Sequence, residues 1–401
     1  MQFTKSSSRS AEKTKFMNDV IYLDNAATTM MKPASVVKAV SESLTTFGGP
    51  GRGVHAASLA STMAVFKCRG ALAKLFNATA PEQVSLTCNA TESLNIAIEG
   101  LLKPGDHVIT TMASHNSVLR PLYRKNARDG VDLTIVDIEG DGSLDIDKYK
   151  AAFKPNTKWV VVAHSSNLTG DIYDIEKLGK FAHEHGAKMI VDAAQTGGVL
   201  DIDVQAQNID VLCLTGHKSL YGPQGTGAII VNPEIAIPSY KVGGSGMHSY
   251  DHEHPSFMPD ALEAGTLNAH GAAGLCAGVE FIIDKTPRAI KSHIDECISR
   301  FEEGIKDAPQ IRFYGGSKQT LGRCGISAIN IGNHDSAEVA DILSTEYNIC
   351  VRPGAHCAPK MHEALSTIDQ GIVRFGFCSF STFEEVDIAI RAIREIATRF
   401  E

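Results

Sequence analysis

The stretch Asp210-Val211-Leu212-Cys213-Leu214-Thr215-Gly216-His217-Lys218 begins as an apolar run and ends in a polar turn that carries a lysine. A short apolar run bounded by a polar turn is typical of a buried β-strand. A second apolar run, Lys188-Met189-Ile190-Val191, ends in Asp192-Ala193-Ala194-Gln195. Both runs place polar side chains where a strand ends, and in open α/β sheets ligands bind at that edge.

The chain around these two runs alternates between β-rich and helical patterns, which predicts a mainly parallel sheet wrapped by helices. The predicted strands are Val84–Thr87, His107–Thr111, Leu133–Val136, Trp159–Ala163, Met189–Val191, Val211–Leu214 and Ala228–Val231. Trp159–Ala163 is apolar on both faces, as an interior parallel strand should be. Helical patterns around Ala272–Asp284 and over Glu384–Arg399 follow, with mixed strand and helix patterns between them. The sequence thus predicts an α/β fold with a seven-stranded sheet and a smaller C-terminal α/β domain.

Length and composition bound the domain organisation and the class of partner. The 401 residues exceed one ordinary domain, so we expect a large domain over 35–275 and a small one over 276–401. Residues 19–34 are expected to pack on the small domain and residues 1–18 to form a disordered extension. A net charge of −8 without a basic patch argues against nucleic acid, and no apolar run approaches a membrane span. Nine cysteines without a CxxC pair favour reduced thiols and a cytoplasmic location.

Lys218 and Asp192 together suit pyridoxal phosphate (PLP). The aldehyde of this cofactor bonds to a lysine amine, and an anionic partner keeps its pyridine nitrogen protonated so that the ring accepts electrons. Because both residues follow neighbouring apolar strands, we expect them to lie in one cleft.

A phosphate group needs several hydrogen-bond donors, and Asn89-Ala90-Thr91-Glu92-Ser93 directly follows a predicted strand and opens a helix. The free N–H groups of a helix N-terminus bind anions. Ordinary N-capping by Asn89 or Thr91 is the alternative, and this segment alone favours it. Thr215 and His217, just before Lys218, are candidates for further phosphate contacts.

Two more polar residues follow predicted strands. His115, in Ser114-His115-Asn116, is a candidate for stacking over a cofactor ring or for proton transfer, since histidine titrates near neutral pH. A hydrogen-bonded structural histidine is the alternative. Asn167 is a candidate donor to a phenolate or carboxylate, and a turn residue is the alternative there.

Cys357 lies in Val351-Arg352-Pro353-Gly354-Ala355-His356-Cys357-Ala358-Pro359, beside a histidine and near an arginine. Cationic neighbours favour the thiolate, which is the nucleophilic form of cysteine. A small buried apolar residue is the alternative role. Arg374 is a candidate for a bidentate pair with a substrate carboxylate, and a salt bridge between surfaces or domains is its alternative.

Two His-Glu-His groups have metal-like composition. His183-Glu184-His185 is expected on a helix face, and His252-Glu253-His254 lies within the glycine-rich, polar stretch Gly243–Pro259, which is expected to form a mobile loop or hairpin over the cleft. We interpret both groups as solvated and predict no metal site.

Eight motifs in order along the chain resemble those of the cysteine desulfurases, which belong to the class V branch of fold-type I PLP enzymes. They extend the resemblance from Tyr22 to about Thr398. The motifs are Leu23-Asp24-Asn25-Ala26-Ala27-Thr28-Thr29, Ala90-Thr91-Glu92, Ser114-His115-Asn116, Ser166-Asn167-Leu168-Thr169-Gly170, Asp192-Ala193-Ala194-Gln195, Thr215-Gly216-His217-Lys218, Glu263-Ala264-Gly265-Thr266 and Arg352-Pro353-Gly354-Ala355-His356-Cys357-Ala358.

The resemblance implies a role for each matching residue. Lys218 would bond to the PLP aldehyde, Asp192 would pair with the pyridine nitrogen, Gln195 would contact the phenolic oxygen and His115 would stack on the ring. The phosphate would be bound by Ala90, Thr91, Thr215 and His217, and by Thr266 from the neighbouring subunit of a homodimer with shared active sites. The substrate would be bound by Ala27, Asn167 and Arg374, and Cys357 would accept its sulfur.

The implied reaction converts L-cysteine into L-alanine. Lys218 or His115 would remove the Cα proton, and Cys357 would take the sulfur as a persulfide that passes to an acceptor protein or a small thiol. The short cysteine loop is similar to that of the group II desulfurases, which include selenocysteine-active members. Alternatives on the same scaffold are a selenocysteine lyase, a C–S lyase or a class V aminotransferase. A non-catalytic scaffold that binds sulfur-transfer partners is a further alternative, which intact Lys218, Asp192 and Cys357 disfavour.

Two departures from the family pattern bear on substrate choice. Ala261 stands where many relatives carry arginine, and Phe375-Gly376-Phe377-Cys378 follows Arg374 where Ala-Ser types are usual. The second departure brings another thiol, Cys378, near the predicted site.

Overall fold

The computed structural model describes residues 20–51, 53–247 and 249–401, so the predicted extension over 1–18 lies outside the described residues. The strands are β1 Ile21–Tyr22, β2 Val84–Thr87, β3 His107–Thr111, β4 Asp132–Val136, β5 Thr157–Ala163, β6 Lys188–Asp192, β7 Val211–Thr215, β8 Gly227–Val231, β9 Ile311–Tyr314, β10 Ile326–Ile331, β11 Ile349–Cys350 and β12 Val373–Gly376. The α-helices are α1 Ala34–Thr46, α2 Ala56–Leu75, α3 Ala90–Leu101, α4 Asn116–Asp129, α5 Ile146–Ala151, α6 Ile175–Glu184, α7 Ala269–Lys285, α8 Pro287–Ile305, α9 Ser336–Tyr347, α10 Pro359–Ala364 and α11 Phe383–Arg399.

The large sheet has seven strands in the order β2-β8-β7-β6-β5-β3-β4. The pairs from β7 through β4 are parallel, whereas β8 runs antiparallel to both β7 and β2. All seven strands expected from the sequence are present, with bounds that shift by at most two residues. The prediction of a mainly parallel seven-stranded sheet is therefore confirmed.

Strand β5 shows why this sheet is apolar on both faces. Successive side chains of a strand point to opposite faces. Val160 and Val162 belong to one apolar cluster, whereas Trp159 and Val161 belong to a second cluster. The unbroken apolar sequence of an interior strand is thus divided between two cores, one on each face.

A second sheet, in the order β12-β10-β9, is antiparallel and lies in the C-terminal part of the chain. The N-terminal strand β1 pairs in parallel with β11, and Asp24 forms a bridge with Gly376. Helix α7 runs without interruption across the predicted boundary between residues 275 and 276. The N-terminal segment thus contacts the C-terminal part of the chain, while the exact division into domains stays a prediction.

Candidate active site

A cleft of about 270 Å³ lies at the carboxyl ends of β5, β6 and β7. It forms there because Ala163, Asp192 and Thr215 are the last residues of these three strands. The N-terminal segment and the second sheet close its other side. Its lining residues are Ala26, Ala27, Asn89, Ala90, Thr91, Ala113, His115, Ser117, Ala163, Ser165, Asn167, Asp192, Ala194, Gln195, Thr215, His217, Lys218, Arg352, His356 and Arg374.

Lys218 occupies the turn that leaves β7. The Tyr221 N–H donates to the Lys218 carbonyl at 2.9 Å, and the Thr29 hydroxyl donates to the same oxygen at 3.1 Å. Burial and, to a smaller extent, the Arg374 charge lower the pKa of Lys218 from 10.5 to about 8, partly opposed by Asp192. A substantial fraction of the amine is therefore neutral, and hence nucleophilic, near pH 8.

Gly216 lets this turn pack closely against the next strand. A Cβ at Gly216 would lie within 2.9 Å of the Thr226 Cβ and against its hydroxyl, which is held by the Pro223 carbonyl. We expect Gly216→Ala to lower the free energy of unfolding by about 1–3 kcal/mol because the core there has no spare room. Gly140→Ala is the control, since nothing lies within 4 Å of its Cβ position. Urea unfolding of both variants checks this, and an unchanged Gly216→Ala midpoint would contradict it.

Asp192 is buried at the end of β6, where its carboxylate accepts a hydrogen bond from the Ala194 N–H at 3.0 Å. Burial raises the pKa of Asp192, while the Ala194 N–H and the Lys218 charge lower it. A buried carboxylate is stabilised by a cationic partner. A protonated ring nitrogen would be such a partner.

His115 is the N-cap of α4. Its Nδ1 accepts from the Ser117 N–H at 3.0 Å and lies 2.9 Å from the Ser117 hydroxyl. Burial lowers the pKa of His115 to about 4, with smaller contributions from Lys218 and nearby arginines. The imidazole is therefore neutral near pH 7, and because Nδ1 accepts, its proton resides on Nε2.

The N-terminus of α3 opens into the cleft. The Asn89 side chain accepts from the Glu92 N–H at 3.0 Å, so Asn89 is the N-cap of the helix. The N–H groups of Ala90 and Thr91 belong to the first turn, which has no intrahelical acceptors. The Thr215 hydroxyl is buried and has no hydrogen-bond partner within the described residues. These groups together form a donor-rich pocket that fits a phosphate.

His217 faces the N-terminal segment as well as the cleft. Its Nδ1 lies 3.0 Å from the Thr28 hydroxyl, and its carbonyl accepts from Thr29 and from the Lys32 ammonium at 2.9 Å. Burial lowers the pKa of His217 to about 4 and that of Lys32 to about 8. Gln195 reaches the same segment, since its side-chain amide donates to the Ala26 carbonyl at 3.2 Å.

Arg374 reaches the cleft from β12 and is 1% exposed. Its guanidinium donates to the Asn167 carbonyl at 2.8 Å and to the Asp24 carboxylate at 3.0 Å, while Nε has no partner among the described residues. The Asn167 side chain donates to the His356 carbonyl at 2.7 Å. Arg374 is thus held firmly in a position where a carboxylate in the cleft would meet a fixed cation.

Cys357 is exposed and is not among the residues that line the cleft. Its carbonyl accepts from the Asn116 N–H at 2.9 Å, which ties the cysteine loop to the residue after His115. His356 and Cys357 both have left-handed backbones, with φ of 49° and 56°. Such a backbone is costly for non-glycine residues, so the hydrogen bonds to the carbonyls of His356 and Cys357 hold the loop backbone in a defined conformation next to the cleft.

Thr266 lies apart from the cleft, in a second cavity of about 170 Å³ whose lining also includes Glu92 and Lys241. The described chain therefore does not bring Thr266 to its own Lys218. Ala261 is buried in a turn near this second cavity. Cys378 is buried and does not line the cleft, although the negative charge of its thiolate would raise the pKa values of Lys32 and Tyr22.

The lining also contains polar residues that the sequence did not identify as site residues, namely Ser117, Ser165, Arg352 and His356. Arg352 faces Arg374 through a backbone bridge, with N–H to carbonyl distances of 2.9 and 3.3 Å. His356 donates from Nε2 to the Ile372 carbonyl at 3.0 Å, and its buried Nδ1 has no partner in the described ranges. Arg352 and His356 lie within the motif quoted for Cys357, whereas Ser117 and Ser165 directly adjoin the motifs that contain His115 and Asn167 but lie outside them.

Within residues 20–51, 53–247 and 249–401, no group of three or more His, Cys, Asp or Glu side chains is arranged to hold a metal ion. His183 instead lies 2.7 Å from the Asp210 carboxylate, and His254 contacts the Asp260 carbonyl at 3.1 Å. None of the helices in these ranges combines the length and the apolar character that a membrane span requires.

Comparisons with known proteins agree over most of the chain. Residues 21–388 match the aminotransferase class-V family. A probable cysteine desulfurase of Pyrococcus abyssi is 33% identical over 393 residues, covering 94% of both chains. A probable cysteine desulfurase of Synechocystis is 30% identical over 383 residues, covering 94% of this chain and 90% of the relative.

Solved structures give the same result. The apo structure of a cysteine desulfurase from Thermococcus onnurineus matches with a TM-score of 0.90 at 31% identity, covering 99% of this chain and 100% of that one. An Escherichia coli cysteine desulfurase in an S-sulfonic acid form matches with a TM-score of 0.85 at 25% identity, covering 99% and 100%. The fold class expected from the sequence is confirmed. Since these matches span nearly the whole length, this chain belongs to the aminotransferase class-V family and, within it, to the cysteine desulfurases.

Proposed function

We propose that this chain is a PLP-dependent cysteine desulfurase that converts L-cysteine into L-alanine and transfers the sulfur to Cys357. One observation carries the proposal. Lys218, whose pKa is lowered, and the buried carboxylate of Asp192 follow neighbouring strands and line one cleft, and the exposed Cys357 adjoins His356 of that cleft.

The residues of the cleft fit the cofactor. Asp192 would pair with the pyridine nitrogen, and Lys218 would bond to the aldehyde. The first turn of α3 and the unpartnered Thr215 hydroxyl would bind the phosphate, while His115 would cover the ring and Gln195 would reach the phenolic oxygen. When bound, PLP would act as the electron sink that makes the Cα proton of an amino acid acidic.

Substrate binding follows from the fixed cations. Arg374 would hold the α-carboxylate of cysteine through its unused guanidinium N–H, and Asn167 and Ala27 of the same cleft would complete the substrate site. Arg352 adds a second positive charge to the same wall. Charge-assisted hydrogen bonds of this kind also fix orientation, because the guanidinium is planar and rigid.

Proton transfer favours Lys218 as the base. The neutral His115 keeps its proton on Nε2 and uses Nδ1 to accept from Ser117, so neither nitrogen has a free lone pair toward the cleft. Lys218, with its pKa lowered to about 8, would supply a neutral amine as the base. His115 would instead donate a hydrogen bond from Nε2.

Cys357 would complete the transfer as a nucleophile. Its thiolate would attack the sulfur of the substrate, so that an S–S bond forms while the substrate C–S bond breaks. The electron pair of the broken bond stays with the carbon fragment, which takes up protons and leaves as alanine. The persulfide on Cys357 is exposed and would pass its outer sulfur to an acceptor protein or a small thiol.

A homodimer with shared active sites would account for two features. Thr266 lies away from its own cleft and would reach the phosphate of the other subunit. Helices α1 and α2 carry large apolar side chains that are half or more exposed, among them Val37, Leu44, Leu59 and Met63. Exposed apolar patches of this kind mark protein interfaces. The cytoplasmic location stays a prediction.

A selenocysteine lyase is the second candidate function. The observation that favours it is that Cys357 lies outside the lining of the cleft, so a reaction that releases selenium without a protein nucleophile remains compatible with the site. The two functions differ in whether Cys357 is modified during turnover.

A single-turnover incubation of the PLP-loaded protein with L-cysteine tests the proposed function. We expect intact mass spectrometry to show a gain of one sulfur atom, peptide mapping to place it on Cys357, and an equal amount of alanine to form. Pyruvate and ammonia in place of alanine would identify a C–S lyase, and dependence on a keto acid would identify an aminotransferase. Alanine without a sulfur gain on the protein would identify lyase-type release.

A further inference from the structure

Three side chains on the wall of the cleft form one hydrogen-bonded chain. The Thr91 hydroxyl lies 2.8 Å from the Ser117 hydroxyl, and the Ser117 hydroxyl lies 2.9 Å from His115 Nδ1. All three residues line the cleft. These hydrogen bonds therefore connect the N-terminus of α3, where an anion would bind, to the imidazole of His115 in the wall of the cleft.

The number of protons available to Thr91, Ser117 and His115 limits how their hydrogen bonds can be oriented. His115 Nδ1 can only accept, because it already receives the Ser117 N–H at 3.0 Å. Each hydroxyl has one proton to donate. In the inward arrangement Ser117 donates to Nδ1 and Thr91 donates to Ser117. In the outward arrangement Ser117 donates to Thr91, and the Thr91 proton points away into the cleft.

An anion distinguishes between these arrangements. Water can donate to or accept from Thr91, so both arrangements are compatible with a water-filled pocket. A phosphate oxygen at neutral pH mainly accepts, so it favours the outward arrangement, in which Thr91 has a proton to offer. A ligand shifts a two-state equilibrium by its difference in affinity for the two states.

We propose that Ser117 is a positioning residue that couples occupancy of the phosphate pocket to the hydrogen bonding of His115. When an anion binds at the α3 N-terminus, the Ser117 hydroxyl turns from His115 Nδ1 to Thr91, and Nδ1 keeps only the Ser117 N–H. The Nε2 proton stays in place, so the orientation of His115 is retained while its electron density changes. This inference rests on the proposed function only in identifying the anion as the phosphate of PLP.

The test uses ¹⁵N NMR of the full-length apo protein labelled at histidine, with the His115 signals assigned by their loss in His115→Gln. The probes are inorganic phosphate, pyridoxal without phosphate, and PLP. An acceptor nitrogen that loses a hydrogen-bond donor shifts downfield. We expect phosphate and PLP to shift Nδ1 downfield and pyridoxal to leave it in place. Ser117→Ala should start downfield and not respond, whereas Ser117→Thr, which keeps the hydroxyl, should respond like the wild type.

The outcomes separate the two proposals. Any of three results would overturn the coupling. These are a phosphate response that persists in Ser117→Ala, the absence of a response in the wild type, and a response to pyridoxal equal to that to phosphate. Thr91→Val should also abolish the response, since it removes the terminal donor. The visible absorption of lysine-bound PLP reports the cofactor site independently. If that absorption forms while Nδ1 stays unchanged, only the coupling fails; if it does not form, the proposed function fails, and the phosphate arm still tests the coupling.

Discussion

Replacement of Lys218 by alanine is expected to lower kcat for L-cysteine by about 10³-fold or more, since one residue anchors the cofactor and acts as the base. The structure supports this expectation because the Lys218 amine is desolvated and lies in the cleft with Asp192. Lys218→Arg should be equally inactive, because arginine keeps its proton and cannot serve as a base. The measurement is alanine formation together with the visible absorption of lysine-bound PLP.

Lys103→Ala is the matched control for these variants, since Lys103 is exposed just after α3 and does not line the cleft. It should retain the activity and the absorption of the wild type. If Lys218→Ala retained both, the lysine that holds the cofactor would have to be another residue.

The pH dependence of reconstitution gives a second readout of Lys218. Only the neutral amine attacks an aldehyde, and the pKa of Lys218 is lowered to about 8. The rate constant for PLP binding to the apo protein should therefore rise about tenfold per pH unit well below pH 8 and level off above it. An ordinary exposed lysine would level off only near pH 10.5. A plateau at that higher pH would show that the cleft does not lower the pKa.

Replacement of Cys357 by serine is the second change with a large expected effect. A hydroxyl is a far weaker nucleophile than a thiolate, so alanine formation from L-cysteine should fall by at least about 10²-fold. No persulfide should form on the variant. The absorption of lysine-bound PLP should be unchanged, because Cys357 is exposed and is not one of the residues that line the cleft.

Cys88→Ser is the control for this experiment, because Cys88 and Cys357 are the two exposed cysteines among the described residues. It should behave like the wild type. Full desulfuration of L-cysteine by Cys357→Ser would be incompatible with the proposed nucleophile. Selenium release from L-selenocysteine by Cys357→Ser at the wild-type rate would favour the selenocysteine lyase function.

The sequence predicted the elements that depend on local patterns. Unbroken apolar runs identified β5, β6 and β7, because a strand buried on both faces has no polar face to break the run. The same runs placed Lys218 and Asp192 at strand ends, and therefore at one edge of the sheet. The sequence also predicted Asn89 as a helix cap, since capping involves residues only three positions apart.

The tertiary structure decided the features that depend on contacts between distant parts of the chain. Arg374 is fixed by Asp24, a residue 350 positions away, because the N-terminal segment pairs in parallel with the end of β12. The positions of Cys357 beside the cleft and of Thr266 in another cavity likewise follow from packing. The antiparallel direction of β8 could not be predicted from the sequence either, since apolar runs do not encode strand direction.

The chemical state of the site was also decided by tertiary structure. His115 and Lys218 have ordinary side chains in the sequence, and their pKa values are lowered because folding removes water and brings positive charges near them. The proton on His115 Nε2 depends on one hydrogen bond from Ser117. Residue types and spacing thus determined which groups are available, whereas desolvation and long-range contacts determined their protonation and their partners, because both depend on neighbours that are distant in sequence.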